Sequence, residues 1–508
     1  PLKLLSAMRP IPSSRVLPIF HDRPALLILA LSFVARAVAA ASVGPGFDEA
    51  YYHLFARHLA PGYFDHPPIV AVTAGLGWWL TGAWHPLALR FGALVVFSLS
   101  QVGFYTLARD LYNRRAAIIA LLLPLATPFF AVGAGAFVIP DNGLVAAWIW
   151  ALWVLARLRS GQFVPNGGFI ALGALLGLAM LAKYHAVLLP ASFALATVFD
   201  PELRRWWRNP RLYLSLVVAA LVFLPNLIWN ANNGWIAFAG QFGKGISGGF
   251  RFRFDLFGQA LGGQLSYLTP WVCAVLWIGA LRPRREDRGD AWLIPFFLLP
   301  VVGMTLLGLT RGILPHWTMP GYIAALVLTS GWLSTKPWEQ HFMRGSLIAN
   351  GLLVILVIVQ AQAGILRIRP KADPTLDLVG WRQTILYLER NGLLQQSDVL
   401  FAHKWFTAGE IAWADRGEHP VVLIGDQPHM FAWWTPEPEW EGASGVLITQ
   451  ARYTIDPRKM LEARFARVSA IDVPPVRRGK TLLQMRAWRV DGLNRPQFPP
   501  YGPWADRR

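Results

Sequence analysis

The sequence predicts a polytopic α-helical membrane protein that carries a small soluble α/β domain at its C-terminal end. Only 15% of its 508 residues are charged and 54% are hydrophobic, whereas a soluble domain carries about 25% charge. Eleven apolar runs follow one another up to residue 366, most of them near the ~20 helical residues that cross a bilayer. Beyond that point charged residues become frequent and the apolar runs shorten to strand length. The formal net charge of +18 does not indicate nucleic acid. The basic residues fall in short loops between apolar runs, the pattern of cytoplasmic loops rather than of a binding stripe. The single cysteine, Cys273, lies in an apolar run, so neither a disulfide framework nor a cysteine metal site is available.

The runs fall at about 25–43, 86–108, 116–137, 143–157, 168–182, 186–199, 212–229, 266–282, 291–309, 318–334 and 347–366. The first is too long for a signal peptide and lacks a clear small-residue cleavage site, so it is expected to stay as a helix. Pro1 suggests a processed or incomplete start. The apolar stretch 67–82 is short and reads as a re-entrant or interfacial helix. Basic residues set the orientation. Lys3, Arg9, Arg15 and Arg23 precede the first run; Arg109, Arg114 and Arg115 follow the second; Arg157 and Arg159, then Arg204, Arg205, Arg208 and Arg211, come next. Arg282, Arg284, Arg285 and Arg288 form a further cluster, and Lys336 with Arg344 the last. With eleven spans every cluster shares the side of the N-terminus, which the positive-inside rule makes cytoplasmic.

The opposite, periplasmic side then receives the 44–85 loop, Asp141, Lys183-Tyr184-His185, the 230–265 loop, Arg311, His316 and the tail. Titratable residues outside the basic clusters therefore gather on one membrane face. A transporter instead buries such groups near the midplane, between repeated halves with broken helices, and the chain has no convincing internal repeat. The expected division is a transmembrane domain over 1–367, with its first periplasmic loop at 44–85, and a periplasmic α/β domain over 368–508. Strand-like pieces at 420–424 and 445–448 and a helix-like stretch at 381–391 mark that domain. The last dozen residues, rich in Pro, Arg and Asp, are expected to be loose.

The 44–85 loop concentrates the chemistry, with Asp48, Glu49 and Asp65 near His53, His58 and His66. Acidic residues at the mouth of a span are costly to hold near hydrocarbon and usually mark function. Asp48 and Glu49 open an amphipathic pattern through Tyr51, Leu54, Phe55, His58 and Leu59, that of a helix lying along the membrane surface. As first-turn acids they also suit the helix dipole as caps. A pair of them, with Asp65-His66 returning later, favours chemistry: two separated carboxylates can deprotonate a hydroxyl and hold a cation, or share a metal. Asp48, Glu49 and His316 are the metal candidates, and a divalent ion is the cofactor considered. No Walker motif and no G-x-G-x-x-G between a strand and a helix appears, so no nucleotide cofactor is expected. Asp141 reads either as an N-cap after Pro140 or as a substrate-binding carboxylate, and Tyr52 and His316 are further substrate-binding candidates. Lys183 either snorkels at its helix end or, with Tyr184, pairs with a phosphate. Arg311 has the same two readings.

The run Asp48-Glu49-Ala50-Tyr51-Tyr52 with Tyr63-Phe64-Asp65-His66-Pro67-Pro68 resembles the first outer loop of bacterial type-C (GT-C) glycosyltransferases. These are relatives of the protein O-mannosyltransferases and of the lipid A aminoarabinose transferases. Ala182-Lys183-Tyr184, Pro225-Asn226, Trp229-Asn230 and Pro315-His316-Trp317 add to the resemblance, which covers residues 25–335; the tail is similar only in general layout. The resemblance implies a GT-C fold, a polyprenyl-phosphate sugar as donor, and work on the periplasmic face of the bacterial inner membrane. It also implies Asp48 as catalytic base, with Glu49 supporting it or binding a metal and Asp65 beside them. Aminoarabinose transferases typically carry Glu-Lys before their two prolines. Asp65-His66 stands here instead, which moves the expected donor-phosphate contact from His66 towards Lys183 and Arg311. The expected function is inverting sugar transfer to an envelope acceptor: lipid A or another glycolipid, a glycan, or a protein. A transporter or flippase for a lipid-linked sugar is the alternative.

Overall fold

The computed structural model describes residues 17–242, 252–282, 289–395, 397–452, 458–503 and 505. Lys3, Arg9, Arg15, Arg284, Arg285 and Arg288 of the basic clusters lie outside the described residues, as do 243–251 of the long loop and 504 and 506–508 at the end of the tail.

Each of the eleven apolar runs becomes a helix or a bent helix pair. Arg23–Ser42, Pro86–Leu111, Pro165–Ala182, Pro210–Asn232 and Glu339–Ala363 are each long and apolar enough to cross a membrane. Counting each bent pair as one span brings the number to eight among the described residues. Arg114–Ala126 and Phe129–Ala136 meet at 88°, Tyr184–Phe199 and Pro201–Arg208 at 108°, and Phe254–Leu268 and Pro270–Leu281 at 96°. A proline stands at every one of these breaks: Pro128, Pro201 and Pro270. Proline offers no N–H to the turn behind it and pushes the residue before it out of helical geometry, so each bend is dictated locally. Asp141–Arg159, Ala291–Leu307 and Met319–Leu333 account for the remaining runs. The stretch expected to be re-entrant or interfacial is the short apolar helix Ile69–Thr81, which stops at Gly82 in the left-handed conformation.

The chain forms two compact units. Unit 1 draws on Pro1–Val38, Ala93–Leu227 and Phe242–Val354, and unit 2 on Ala39–Gly92, Ile228–Gln241 and Ile355–Arg508. The axis of unit 1 is Met319–Leu333, buried at every residue and packed by Pro270–Leu281, Ile294–Leu307, Arg114–Leu122 and Asp141–Arg159. A chain of polar pairs closes one end of this unit. Arg114 holds Asp22 at 2.7 Å, Arg115 holds Glu339 at 2.8 Å, Arg157 holds Asp110 at 2.8 Å and Arg159 holds Asp200 at 3.0 Å. The Tyr112 hydroxyl donates to Asp290 at 2.6 Å. These pairs tie Arg114, Arg115, Arg157 and Arg159 of the basic loops to one another's helices.

Unit 2 holds a five-stranded mixed sheet. Its strands include β1 (Val399–Ala402), β2 (Val421–Leu423), β3 (Gly445–Gln450), β4 (Phe465–Ile471) and β7 (Met485–Leu493); β5 (Val476–Arg478) and β6 (Thr481–Leu483) form a separate hairpin. The order is β2-β1-β3-β7-β4, with β2, β1 and β3 parallel and β7 and β4 antiparallel to their neighbours. Val399, Phe401, Val422, Leu447, Trp488 and Val490 build its core. The expected helix at 381–391 is Trp381–Arg390. The same unit contains the helix Phe47–Arg57 of the first loop, which packs against Trp405–Ala414.

Candidate functional site

The helix Phe47–Arg57 starts where Gly46, in extended conformation, gives its N–H to the Glu49 carboxylate at 3.0 Å. Glu49 therefore does cap the helix, as first-turn acids can. It does more than that. Arg90, fully buried, donates through Nε to Glu49 Oε1 at 2.8 Å and through Nη2 to Oε2 at 2.6 Å. The same guanidinium donates to the carbonyls of Ala40, Val43 and Gly44 at 2.6–2.8 Å, closing the frayed end of the first helix. Both Glu49 oxygens are thus engaged, and its role is to fix the start of the helix. Glu410 is buried on Trp405–Ala414, and burial and the nearby Glu49 charge push its carboxyl above the usual range. Gly409 allows that helix its close approach, since an added Cβ would lie 2.9 Å from the Tyr51 backbone nitrogen.

Asp65 is held just as firmly. The Tyr51 hydroxyl donates to its Oδ2 at 3.0 Å, and His429 Nδ1 lies 2.9 and 3.0 Å from its two oxygens. Burial alone would raise the Asp65 pKa. The hydrogen bond and charge of His429, the charge of His66 and the Tyr51 bond outweigh it and hold the carboxyl below its ordinary value. Asp48 differs from both neighbours. Its side chain is exposed on one side and crowded by protein on the others. Dehydration on the crowded side and the Asp65 and Glu49 charges push its pKa up to about 6, against a small opposing pull from His429. The open side lets water screen part of this repulsion. Of the three loop carboxylates, Asp48 alone is both exposed and poised near neutrality, where a general base works best. Tyr52 is buried, with the His66 ring edge-on at 5.6 Å.

In unit 1 the structure joins Lys183 to Asp141. Lys183 Nζ donates to Asp141 Oδ2 at 2.7 Å, and both residues are buried. Lys183 is therefore no snorkelling residue. Asp141 begins its helix without capping it by side chain. Its Oδ1 has no hydrogen-bond partner among the described residues. The Tyr184 hydroxyl reaches Asn226 at 3.3 Å, and His185 lies 4.8 Å from the Trp317 ring, next to His316. Arg311, half-buried, forms no ion pair among the described residues. The metal set considered from the sequence does not fit. Glu49 is saturated by Arg90 and Gly46, and among the described residues no three His, Cys, Asp or Glu side chains converge on a metal position.

Sequence reading missed Arg90, Tyr51, Glu410 and His429 as partners of the acidic loop. Arg90 carried a usable signal, because a charge inside an apolar run is itself a functional flag. His429 carried none, lying 364 residues from Asp65 in an unpatterned turn.

The sequence profile of the dolichyl-phosphate-mannose-protein mannosyltransferase family matches residues 65–229. The undecaprenyl phosphate-alpha-4-amino-4-deoxy-L-arabinose arabinosyl transferase of Edwardsiella ictaluri is 27% identical over 328 residues, 60% of this chain and 55% of that protein. The lipid A galacturonosyltransferase RgtD of Rhizobium johnstonii is 25% identical over 333 residues, 61% of this chain and 64% of that protein. The match thus spans less than two thirds of either relative's length. In structure the chain is similar to ArnT from Cupriavidus metallidurans in the apo state, with a TM-score of 0.64 at 17% identity, over 93% of this chain and 99% of that one. ArnT bound to undecaprenyl phosphate gives 0.61 at 18% identity with the same coverage. At such identity the likeness speaks for the fold. Helices, soluble sheet and these matches together define a polytopic GT-C membrane protein. Within that class the chain is similar to the undecaprenyl-phosphate aminoarabinose transferases and the lipid A galacturonosyltransferases.

Proposed function

We propose that this protein is an inner-membrane glycosyltransferase that moves a sugar from a polyprenyl-phosphate donor to lipid A or a kindred envelope glycolipid, at the periplasmic face. The observation that carries the reading is the sorting of the loop carboxylates: Glu49 and Asp65 are tied down by Arg90 and His429, while Asp48 is left exposed. The relatives' names support the donor and acceptor classes, one for undecaprenyl phosphate aminoarabinose and one for lipid A.

In this reading the acceptor hydroxyl oxygen attacks the anomeric carbon from the face opposite the phosphate. The bond from that carbon to the phosphate oxygen breaks through an oxocarbenium-like transition state, giving inversion. Asp48 takes the acceptor proton, and the prenyl phosphate leaves with the bonding electron pair. A phosphate ester is a good leaving group, so no strong general acid is needed. Cationic donors for the phosphate fall to Lys183 and Arg311, with His66 and Tyr184 as lesser candidates, and Tyr52, Asp141 and His316 are assigned to substrate contacts. The ties between the basic loops of unit 1 support a common, cytoplasmic side for them.

Purified protein incubated with labelled polyprenyl-phosphate sugar and lipid A tests the reading. Label is expected on the acceptor, and Asp48→Asn is expected to cut turnover by ~10²–10⁴-fold with unchanged melting. Near-normal transfer by that variant removes Asp48 from the mechanism. Movement of the labelled lipid across liposomes with no new glycosidic bond makes the protein a flippase instead.

A further inference from the structure

We propose that His429 is a positioning residue of the transfer reaction, by which the C-terminal α/β region holds Asp65 in place beside the base Asp48. The proposal rests on the reading of Asp48 as base. His429 lies in a left-handed backbone conformation, φ 50°, uncommon for non-glycine residues though one that His tolerates better than most. The surroundings are plain. The His429 N–H donates to the Tyr501 hydroxyl at 2.6 Å, and the next N–H, of Met430, donates to the Tyr51 hydroxyl at 3.0 Å. Tyr51 in turn donates to Asp65, so the turn and the acidic loop share one hydrogen-bonded circuit.

The imidazole stands between the rings of Phe64 and Trp405, each centred 4.9 Å away, with little room to rotate. From there Nδ1 covers both Asp65 oxygens, while Gln241 donates to the Asp65 carbonyl at 2.7 Å. Asp65 is thus fixed at side chain and backbone alike. The charged and titratable groups facing this cluster are Asp48, Glu49, His66, Tyr501 and Asp426, besides Asp65 and Tyr51. In that set His429 lowers the proton affinity of Asp48, and Asp65 raises it. A residue that merely filled space would leave the titration of Asp48 untouched.

The full-length protein separates the two roles through the pH profile of kcat/KM. His429→Asn keeps a residue type that tolerates the left-handed backbone but removes the ring and its charge. It is expected to lower kcat by about 10–100-fold and to move the acid limb upward by ~0.5 pH unit or more, with donor KM unchanged. Asp65→Asn removes the repelling charge and is expected to move the same limb downward. Limbs of both variants that superimpose on the wild type overturn the proposal, whatever happens to kcat. If His429→Asn does not fold, His429→Gln, which also removes the ring and its charge, is read in its place by the same criterion. A wild type that makes no product sinks the transferase reading separately. An infrared titration of the Asp48 carboxyl, taken against Asp48→Asn, then still reads the His429 effect and confirms or rejects it.

Discussion

Two buried ion pairs, Glu49–Arg90 in unit 2 and Asp141–Lys183 in unit 1, have the same charges and opposite completeness. Arg90 meets both Glu49 oxygens and three backbone carbonyls, so nothing in that pair seeks another partner. Lys183 has one side-chain acceptor among the described residues, Asp141 Oδ2, and Asp141 Oδ1 has no partner there. A buried pair is held by geometry and hydrogen bonding more than by charge, because desolvation offsets much of the attraction. The closed pair is therefore scaffolding. The open pair keeps spare donors on its lysine, the arrangement suited to receive an anion.

Breaking the closed pair should have the largest effect. Arg90→Ala leaves Glu49 buried and unpaired and uncaps the first helix, and is expected to cost about 3–5 kcal/mol, read as a fall in melting temperature and in folded yield. Next comes the double replacement Lys183→Met with Asp141→Leu, which removes both charges at similar volume. Stability is expected to hold within ~1 kcal/mol, while donor KM rises by roughly 10–100-fold, the loss of charge-assisted phosphate contacts. A double variant that melts early and binds donor normally would reverse the assignment of the two pairs. The smallest effect concerns His53, a buried group with no ionic partner among the described residues, whose ring lies within 5.0 Å of Trp78, Trp84 and Trp413. Burial, helped by Arg57, drives its pKa down to about 3. The unfolded chain binds this proton and the folded one does not, so His53 costs stability as pH falls below ~6.5, by at most about 1.4 kcal/mol per pH unit. Melting scans from pH 7 to 5 should show this slope in the wild type and a shallower one in His53→Phe.

Much of the scaffold was legible and the partnerships were not. Hydropathy located the eleven apolar runs, but not the helices Ile236–Phe242 and Phe254–Leu268, which fall largely in the expected 230–265 loop, nor Trp405–Ala414. The strands Val421–Leu423 and Gly445–Gln450 fell where short β-branched runs placed them. Asp48, Glu49 and Asp65 were visible as a cluster, yet their differing roles depend on Arg90 and His429, which no local pattern connects to them. Arg36 teaches the same lesson within unit 1: a span arginine, read as part of an apolar run, donates to Gly135, Ser98 and Gln101 in the interior. Periodicity reports which face a residue occupies. It does not report which distant residue will meet it there.

The pairing of Phe47–Arg57 with Trp405–Ala414 has a consequence for biosynthesis. The ribosome delivers the acidic loop several hundred residues before the partners that sheathe Tyr51 and Phe55 exist. Until Trp405, Phe431 and Trp434 emerge, those aromatic rings lack the neighbours that cover them in the fold. A stop codon before residue 429 would then leave a chain without the imidazole that holds Asp65.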